Sequence, residues 1–276
     1  MSYVYRYKGG RFEPDEIPIV EERPLSLVVN GQELATLLAS PVKLDALVLG
    51  FLYFERIIDN LEDVKSIEVD LEDATADVEL HASVTHPARR VVTTGCTGGV
   101  SFHMDLSNYP PLQSDVRLKP DAVVPMMRAL YASAEMYRRS RGIHAAALVD
   151  PDFAEGERLL IAAEDVGRHN AVDKIQGEAL LRGIRTKDRV LLSTGRISSE
   201  MLRKGARMLA PFIVSRTSPT ELAVEMAKRL GITLIGYVRN QAFNVYSHAE
   251  RIDYRRPAGK GASMQVVEVG ERPRSD

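Results

Sequence analysis

Cysteine is almost absent from this sequence: Cys96 is the only one among 276 residues. One cysteine excludes a disulfide within the chain and a zinc site built from several cysteines. It also fits a reducing compartment, in which a free thiol persists. We therefore expect a cytoplasmic protein in which Cys96 is either a small buried hydrophobe or a sulfur available for chemistry.

Long hydrophobic runs are also missing. The most apolar stretch, LDALVLGFLYF at 44–54, is too short to span a bilayer, and the N-terminus has no apolar segment of the secretory type. The formal net charge is only −2, so the whole chain has no electrostatic attraction to nucleic acid or to an anionic membrane. We expect neither as a partner, and any anion site must be local.

The sequence has enough apolar residues for one large or two smaller domains, with 45% hydrophobic residues. In its first part, Asn30-Gly31 between apolar runs predicts a β-hairpin. Helical spacing predicts a helix within 43–58, and two alternating runs within 66–81 predict strands. Three prolines between residues 110 and 120 indicate a boundary near residue 118. We therefore expect a small N-terminal α+β domain over residues 1–118 that includes Cys96.

The remaining chain, residues 119–276, has the pattern of an α/β domain. Apolar spacing predicts one helix over 121–140, followed by the strand-like IHAAALV. Between residues 189 and 239, the runs RVLLS, PFIVS and ITLIGYV alternate with helical segments, which predicts parallel strands with helical crossovers. Ser218 is the predicted cap of the last crossover helix, and Gly231 is its predicted left-handed end.

An arginine follows each of these three runs, at positions 196, 216 and 239. Ligands of open α/β sheets bind beyond the carboxyl ends of the strands, where guanidinium groups and helix N-termini suit a phosphate or pyrophosphate. Taken singly, an arginine at a strand end is more often a solvated surface residue. Their repetition favours a crevice for a nucleotide or a nucleotide-like cofactor.

The segment EDVGRHNAVDK, residues 164–174, places six ionisable residues around Gly167. Asn170 is the predicted cap of a helix that begins here, with Asp173 three residues on, and His169 lies at the positive start of that helix, which favours the neutral imidazole. His169 is then suited to carry protons near pH 7. A cluster of caps and salt bridges that orders a turn explains the same spacing, and the residues alone leave both readings open.

Two other histidines have no companions for metal chemistry. His248-Ala249-Glu250 is half of the zinc-deaminase signature, but no cysteine follows Cys96, so we do not expect deaminase chemistry. His144 is interpreted as a strand-end histidine without companion ligands. We expect no metal site.

The loop TTGCTGG, residues 93–99, has three glycines within five residues. Ordering so many glycines costs conformational entropy, which predicts a mobile loop that presents the Cys96 thiol to a partner. Lone cysteines are more often buried and inert, so the loop by itself leaves the role of Cys96 open.

Five segments together resemble the formate dehydrogenase accessory sulfurtransferases, the FdhD family, in the same order along the chain. They are TTGC at 93–96, GIHAAAL at 142–148, EDVGRHNAVDK at 164–174, STGRISSE at 193–200 and FNVYSH at 243–248. The resemblance covers most of the chain, and EDVGRHNAVDK is its most specific part.

The resemblance implies a sulfurtransferase that accepts sulfur from a cysteine desulfurase as a persulfide on Cys96. The sulfur then passes to the molybdenum cofactor, Mo-bis-molybdopterin guanine dinucleotide, before its insertion into formate dehydrogenase. The family's cofactor contacts map onto Phe243, Asn244, Val245, Tyr246, Ser247 and His248. The resemblance also implies a cytidine-deaminase-like three-layer αβα fold for the C-terminal domain, without the zinc ligands.

One departure from the family pattern leaves an alternative open. Many members have a Cys-x-x-Cys loop, whereas this chain has Gly99 in place of the second cysteine. A single thiolate suffices to accept and hand on a sulfur atom. A chaperone that binds the cofactor without moving sulfur fits the same residues, and an unrelated nucleotide-dependent enzyme is the third class. A homodimer is the commonest oligomer of a soluble enzyme and is expected here.

Overall fold

Two β-sheets joined through a pair of helices form most of the structure. The computed structural model describes residues 2–83, 91–92, 100–101 and 109–254. The chain begins with a hairpin of β1 (Ser2–Lys8) and β2 (Arg11–Ile17), which pair with each other and with no further strand in these ranges. The turn between them is Gly9-Gly10, and both glycines have positive φ.

The N-terminal unit is a four-stranded sheet covered by one helix. Its strands, in the spatial order β4-β3-β6-β5, are β3 (Arg23–Val29), β4 (Gln32–Ala39), β5 (Val64–Asp70) and β6 (Thr75–Leu80). Helix α1 (Leu44–Phe54) packs its apolar side chains on this sheet, and a short 3₁₀ turn (Leu61–Asp63) precedes β5. The predicted hairpin, helix and two strands are all confirmed. Asn30 and Gly31 have φ of 49° and 75°, as the tight turn between β3 and β4 requires.

The C-terminal unit is built on a six-stranded sheet. Between the two units in sequence lies a short antiparallel pair, β7 (Val91–Val92) and β8 (Val100–Ser101). The large sheet has the order β10-β9-β11-β12-β13-β14. Its strands are β9 (His144–Val149), β10 (Ile161–Asp165), β11 (Val190–Ser193), β12 (Phe212–Ser215), β13 (Thr233–Arg239) and β14 (Ala242–Ser247). Strands β11, β12 and β13 are parallel neighbours, which confirms the predicted βαβ arrangement.

Helices cover both faces of this sheet. On one face, α4 (Arg168–Leu181), α5 (Ser199–Arg207) and α6 (Glu221–Leu230) pack against a cluster that includes Leu148, Leu191 and Ile213. On the other face, α2 (Pro120–Ser133) packs against Ala147, Leu192 and Val214. The mixed α/β class is therefore confirmed, with three layers in this unit. A second 3₁₀ turn (Ala249–Arg251) follows β14.

The two units meet where α1 crosses α4 at close range. A Cβ added to Gly50 would overlap the backbone of Asp173, and one added to Gly177 would overlap the backbone of Ala46. Two glycines, one on each helix, thus permit backbone-to-backbone packing. No helix in the described ranges is both long and apolar enough to cross a membrane.

Three local predictions are wrong, because contacts with other parts of the chain, made by Met136 and Tyr137, by Thr220 and by Asn170, determine where these helices begin. The helix predicted over 121–140 breaks at Ala134 into α2 and α3 (Glu135–Ser140), because the Glu164 carboxylate accepts hydrogen bonds from the Met136 and Tyr137 N–H groups. The last crossover helix is capped by Thr220 rather than Ser218, although Gly231 does end it with φ of 67°. Helix α4 begins after Gly167, so Asn170 lies inside its first turn instead of capping it.

The proline-rich segment that precedes α2 packs against the C-terminal unit. The Leu112 N–H donates to the Leu230 carbonyl, and the Leu118 N–H donates to the Arg251 carbonyl. The segment after Tyr109 therefore runs beside the large sheet before α2 begins. A domain boundary near residue 118 stays a prediction.

Candidate functional site

The carboxyl ends of four strands lie at one edge of the large sheet. Strands β11, β12 and β13 are parallel, and β10 points the same way because β10 and β11 are both antiparallel to β9. Helices α4, α5 and α6 begin at this edge, after β10, β11 and β12 respectively. Three helix N-termini therefore direct the positive ends of their dipoles toward it. We call this side of the protein the carboxyl edge.

Arg168 lies at the centre of the carboxyl edge, in the first turn of α4, and is only 4% exposed. Facing it is Gly195, which follows β11. A Cβ at Gly195 would come within 2.8 Å of Arg168 Cβ and 3.2 Å of His144 Nδ1. The absence of a side chain at position 195 thus lets the start of β9, the loop after β11 and the start of α4 meet.

His169 points its ring toward the start of α5. Its Nε2 lies 3.2 Å from Ser198 Oγ and 3.5 Å from Glu200 Oε2. Burial lowers the pKa of His169 to about 2, and the charges of Lys204 and Arg168 act in the same direction. The neutral imidazole predicted from the sequence is thereby supported, but burial is its main cause rather than the helix dipole.

His144 begins β9 and sits beside Arg168. Burial lowers the pKa of His144, and the charges of Arg168 and Arg196 lower it further. Within the described part of the chain, no group hydrogen-bonds its Nδ1. The ring is therefore a neutral group next to two arginines, at the strand end where the sequence placed it.

Arg196 and Arg216 are exposed on the same edge. Their loops are tied together, because the Arg216 N–H donates to the Ser193 carbonyl and Ser215 Oγ donates to the Gly195 carbonyl. The Arg216 guanidinium lies 5.1 Å from the centre of the Tyr131 ring. Arg239 is the last residue of β13, and its guanidinium lies over the Tyr237 ring. Two of the three predicted strand-end arginines thus flank Arg168, which gives a cationic edge suited to an anionic ligand.

The rest of the 164–174 segment has structural contacts. The Asp165 carboxylate accepts hydrogen bonds from the N–H groups of Ser40 and Gly167 and from the Asn170 side chain, and it lies 2.6 Å from Lys174 Nζ. Lys174 is fully buried and also donates to the Ser40 carbonyl. Both interpretations left open by the sequence therefore apply, each to different residues. Asp165 and Lys174 have the structural role and hold the two units together, whereas Arg168 and His169 face the site.

Sequence reasoning did not single out Ser198 and Glu200 as neighbours of His169. Ser198 caps α5 by accepting a hydrogen bond from the Met201 N–H, and Glu200 is 6% exposed. The sequence feature that points to Ser198 and Glu200 is the polar run STGRISSE, which directly follows a buried strand. Pairing that run with His169 needs the order of strands in the sheet, which periodicity does not provide.

The predicted cofactor platform, residues 243–248, forms most of the edge strand β14. Since β14 is antiparallel to β13, Asn244 pairs with Gly236 near the carboxyl edge, whereas Ser247 pairs with Leu234 toward the opposite end. Phe243 and Val245 pack on the side of α2, and Tyr246 packs on the other side. The structure therefore brings Phe243 and Asn244 toward the arginines and leads the later residues away from them.

Ser247 and His248 have partners within the fold. Ser247 Oγ accepts from the Leu234 N–H and donates to the Ile232 carbonyl. The His248 ring lies 2.9 Å from the Lys228 carbonyl and 2.9 Å from Glu250 Oε1. Cys96, the predicted sulfur carrier, lies outside the described residues. Among the described ones, no group of three His, Asp or Glu side chains is arranged to hold a metal ion.

Comparison with known proteins decides the family. The model of the FdhD/NarQ family matches residues 20–253. This chain belongs to the FdhD/NarQ family. It is 36% identical to the sulfur carrier protein FdhD of Geobacillus kaustophilus, over 90% of this chain and 95% of that protein. The identity to the FdhD of Bacillus subtilis is also 36%, with the same coverage. The resemblance stated from five segments is confirmed.

A solved structure has the same fold as this FdhD/NarQ family member. It is a crystal structure from Desulfotalea psychrophila, described as that of a candidate formate dehydrogenase accessory protein. The TM-score is 0.75 at 28% sequence identity, and the match covers 91% of this chain and 98% of the other. The family match includes every residue of the carboxyl edge.

Proposed function

We propose that this protein is a sulfurtransferase that carries sulfur on Cys96 and delivers it to the molybdenum cofactor used by formate dehydrogenase. The observation that carries the proposal is membership of the FdhD/NarQ family, whose curated relatives are named sulfur carrier proteins. A cysteine desulfurase is the proposed donor, formate dehydrogenase the proposed client and the cytoplasm the proposed compartment.

The proposed chemistry needs one nucleophilic thiol. The Cys96 thiolate attacks the terminal sulfur of a persulfide on the desulfurase, and the donor's sulfur–sulfur bond breaks with release of the donor thiolate. In the second step the acceptor attacks the terminal sulfur with an electron pair of its own, the sulfur–sulfur bond of the Cys96 persulfide breaks, and Cys96 leaves as a thiolate again. Because Cys96 is the only cysteine of the sequence, the cycle contains no disulfide within the chain.

The substrate is Mo-bis-molybdopterin guanine dinucleotide, and the carboxyl edge supplies groups that fit its phosphates. Arg168, Arg196 and Arg216 provide cationic donors beside three helix N-termini. Phe243 and Asn244 extend this surface along β14, with the Asn244 side chain exposed. Val245, Tyr246, Ser247 and His248 complete the proposed platform, in which Ser247 and His248 support the strand through their bonds to the backbone.

The likeness of the C-terminal domain, residues 119–276, to cytidine deaminases belongs to the same proposal. It is supported by the sheet with helices on both faces and by the parallel strands β11, β12 and β13, whose carboxyl ends lie at one edge. A cofactor-binding chaperone that moves no sulfur is the second candidate, and Gly99 is the residue that favours it.

The arginines of the carboxyl edge give the first test of substrate binding. Replacing Arg196 and Arg216 by glutamine should weaken binding of GDP, the nucleotide part of the cofactor, by about tenfold for each change, which is ~1.4 kcal/mol. Arg128→Gln, on the exposed side of α2, is the matched control. Calorimetric titration with equal affinities for all three variants would contradict this site.

A second experiment separates carrier from chaperone. In cells that lack their own copy, Cys96→Ala should leave formate dehydrogenase inactive while the purified variant binds GDP normally. Thr97→Ser, at the next position in the sequence, is the control and should restore the dehydrogenase. Full dehydrogenase activity with Cys96→Ala would favour the chaperone and rule out the carrier.

A further inference from the structure

A tyrosine with an unusual backbone conformation lies at the carboxyl edge. Tyr237 belongs to β13, and its φ of 54° places a bulky residue in the left-handed region. No other phenylalanine or tyrosine in the described part of the chain has a positive φ. The Tyr237 side chain is also 37% exposed. Strained residues of this kind persist only where their surroundings hold them, and they are concentrated at ligand sites.

The neighbouring loop holds Tyr237 in this conformation. The pairing of β13 with β14 is irregular between Gly236 and Arg239, as in a β-bulge, and bulges re-aim side chains next to functional sites. Within this bulge the Tyr237 N–H donates to the Thr217 carbonyl at 3.1 Å. The two segments approach closely because position 236 has no side chain: a Cβ there would lie 2.8 Å from the Thr217 carbonyl oxygen. The strain at Tyr237 is therefore imposed by the loop that follows β12.

The same loop contains Arg216, so Tyr237 lies beside the cationic part of the carboxyl edge. Strands β11, β12 and β13 are consecutive neighbours in the sheet. At about 4.8 Å between neighbouring strands, the ends of β11 and β13 are roughly 10 Å apart. An extended nucleoside diphosphate spans a comparable distance from its base to its second phosphate. A nucleotide whose phosphates bind Arg196, after β11, would have its base at Tyr237.

We propose that the Tyr237 ring is the platform on which the guanine base of the cofactor stacks. The proposal rests on the proposed function, in which the carboxyl edge binds the phosphates of a guanine dinucleotide. The Arg239 guanidinium lies 5.4 Å from the centre of the ring. A base on the other face completes a stack of guanidinium, ring and base. Such a platform distinguishes a nucleotide from a free phosphate or pyrophosphate ion, which the arginines alone do not.

A surface pair of Tyr237 and Arg239 without a ligand is the simpler explanation of their contact. It does not account for the backbone. Two residues that are two positions apart on a regular strand share one face of the sheet, with no need for a positive φ. The bulge instead changes the direction of one aromatic side chain at the edge of the sheet where the arginines gather.

Calorimetric titration with two ligands, GDP and inorganic pyrophosphate, tests the proposal. Tyr237→Ala should weaken the binding of GDP about tenfold and leave the affinity for pyrophosphate unchanged, because only GDP has a base to stack. Tyr237→Phe keeps the ring and should bind GDP like the wild type. Tyr254→Ala, at an exposed tyrosine that follows the far end of β14, is the matched control and should change neither affinity. Arg216→Gln should weaken both ligands.

The two ligands separate failure of this proposal from failure of the proposed function. Unchanged GDP affinity in Tyr237→Ala, or equal losses for GDP and pyrophosphate, would overturn the stacking role and leave the phosphate site intact. A wild type that binds neither ligand would overturn the cofactor site of the proposed function, and the stacking role with it.

Two further variants separate binding from folding. Glycine adopts a φ of 54° freely, so Tyr237→Gly should be at least as stable in urea as Tyr237→Ala and yet lose the same GDP affinity. The sequence has no tryptophan, so Tyr237→Trp introduces a single fluorescent reporter. GDP should quench this fluorescence by stacking, whereas pyrophosphate should not. Binding of GDP to Tyr237→Trp without quenching would overturn the proposal.

Discussion

His169 shows how a single buried residue links the candidate site to stability. Its pKa is lowered to about 2 in the folded protein, against 6.5 for an ordinary histidine. Between these values the unfolded chain binds a proton that the folded protein does not. His169 therefore makes its full contribution to the free energy of unfolding above pH 6.5, and this contribution is lost progressively as the pH falls below 6.5.

The contribution of His169 is measured as the difference in the free energy of unfolding between the wild type and His169→Gln. Subtraction cancels the titration of all other groups. Among them is Asp173, whose pKa is raised to about 6 by burial and which shifts stability in the opposite sense. This difference in the free energy of unfolding should fall by about 2 kcal/mol between pH 7 and pH 5. Urea denaturation at each pH provides it. The exposed His81→Gln is the control, and a flat difference for His169→Gln would show that the ring is not held neutral.

At the scale of elements, the crossing of α1 and α4 fixes how the two units approach. Gly50→Ala or Gly177→Ala would force a methyl group into the backbone of the facing helix, so each should destabilise the protein by about 3 kcal/mol. Gly142→Ala is the control, since its added Cβ would lie at an ordinary 3.4 Å from Val20. Chemical denaturation measures all three. Stability unchanged by both helix substitutions would mean that the helices are farther apart.

Elements set by local pattern were predictable from the sequence, and those set by distant contacts were not. Asn30-Gly31 determines its own turn, and the three parallel strands follow from their apolar runs. The break at Ala134 depends on Glu164, which lies 30 residues away in sequence and on another element. The start of α4 was misplaced for a related reason, because Asn170 bonds to Asp165 and to the Leu38 carbonyl instead of capping.

The residues of the candidate site were likewise predictable only where local pattern determines their position. Arg196 and Arg216 were found because strand ends are visible in sequence and parallel strands end together. The contact of His169 with Ser198 and Glu200 was missed, since it joins the starts of two helices whose neighbourhood is decided by strand order. Burial, which dominates the pKa of His169, likewise arises from packing of the whole unit.

At the scale of the whole molecule, buried ion pairs hold the two units together. Arg203 of α5 donates to the Phe54 carbonyl at 2.8 Å and to Glu55 Oε1 at 3.0 Å, and both ionic side chains are 2% exposed. Glu55→Ala would leave a buried guanidinium without its carboxylate, which should cost about 3 kcal/mol of folding free energy. Glu155→Ala, which removes an exposed pair with Arg128, should cost less than about 0.5 kcal/mol. Equal losses in thermal or chemical unfolding would contradict this account of the junction.

The proposed function combines Cys96 with the carboxyl edge of the C-terminal unit, so the account depends most on the chemistry of one sulfur. Incubating the protein with a cysteine desulfurase and cysteine, followed by mass spectrometry of the peptide that contains Cys96, tests it directly. A gain of one sulfur, about 32 Da, that is removed by a reducing thiol is the predicted result. An unmodified Cys96 peptide, under conditions in which the desulfurase itself acquires the persulfide, would contradict the role of this protein as a sulfur carrier.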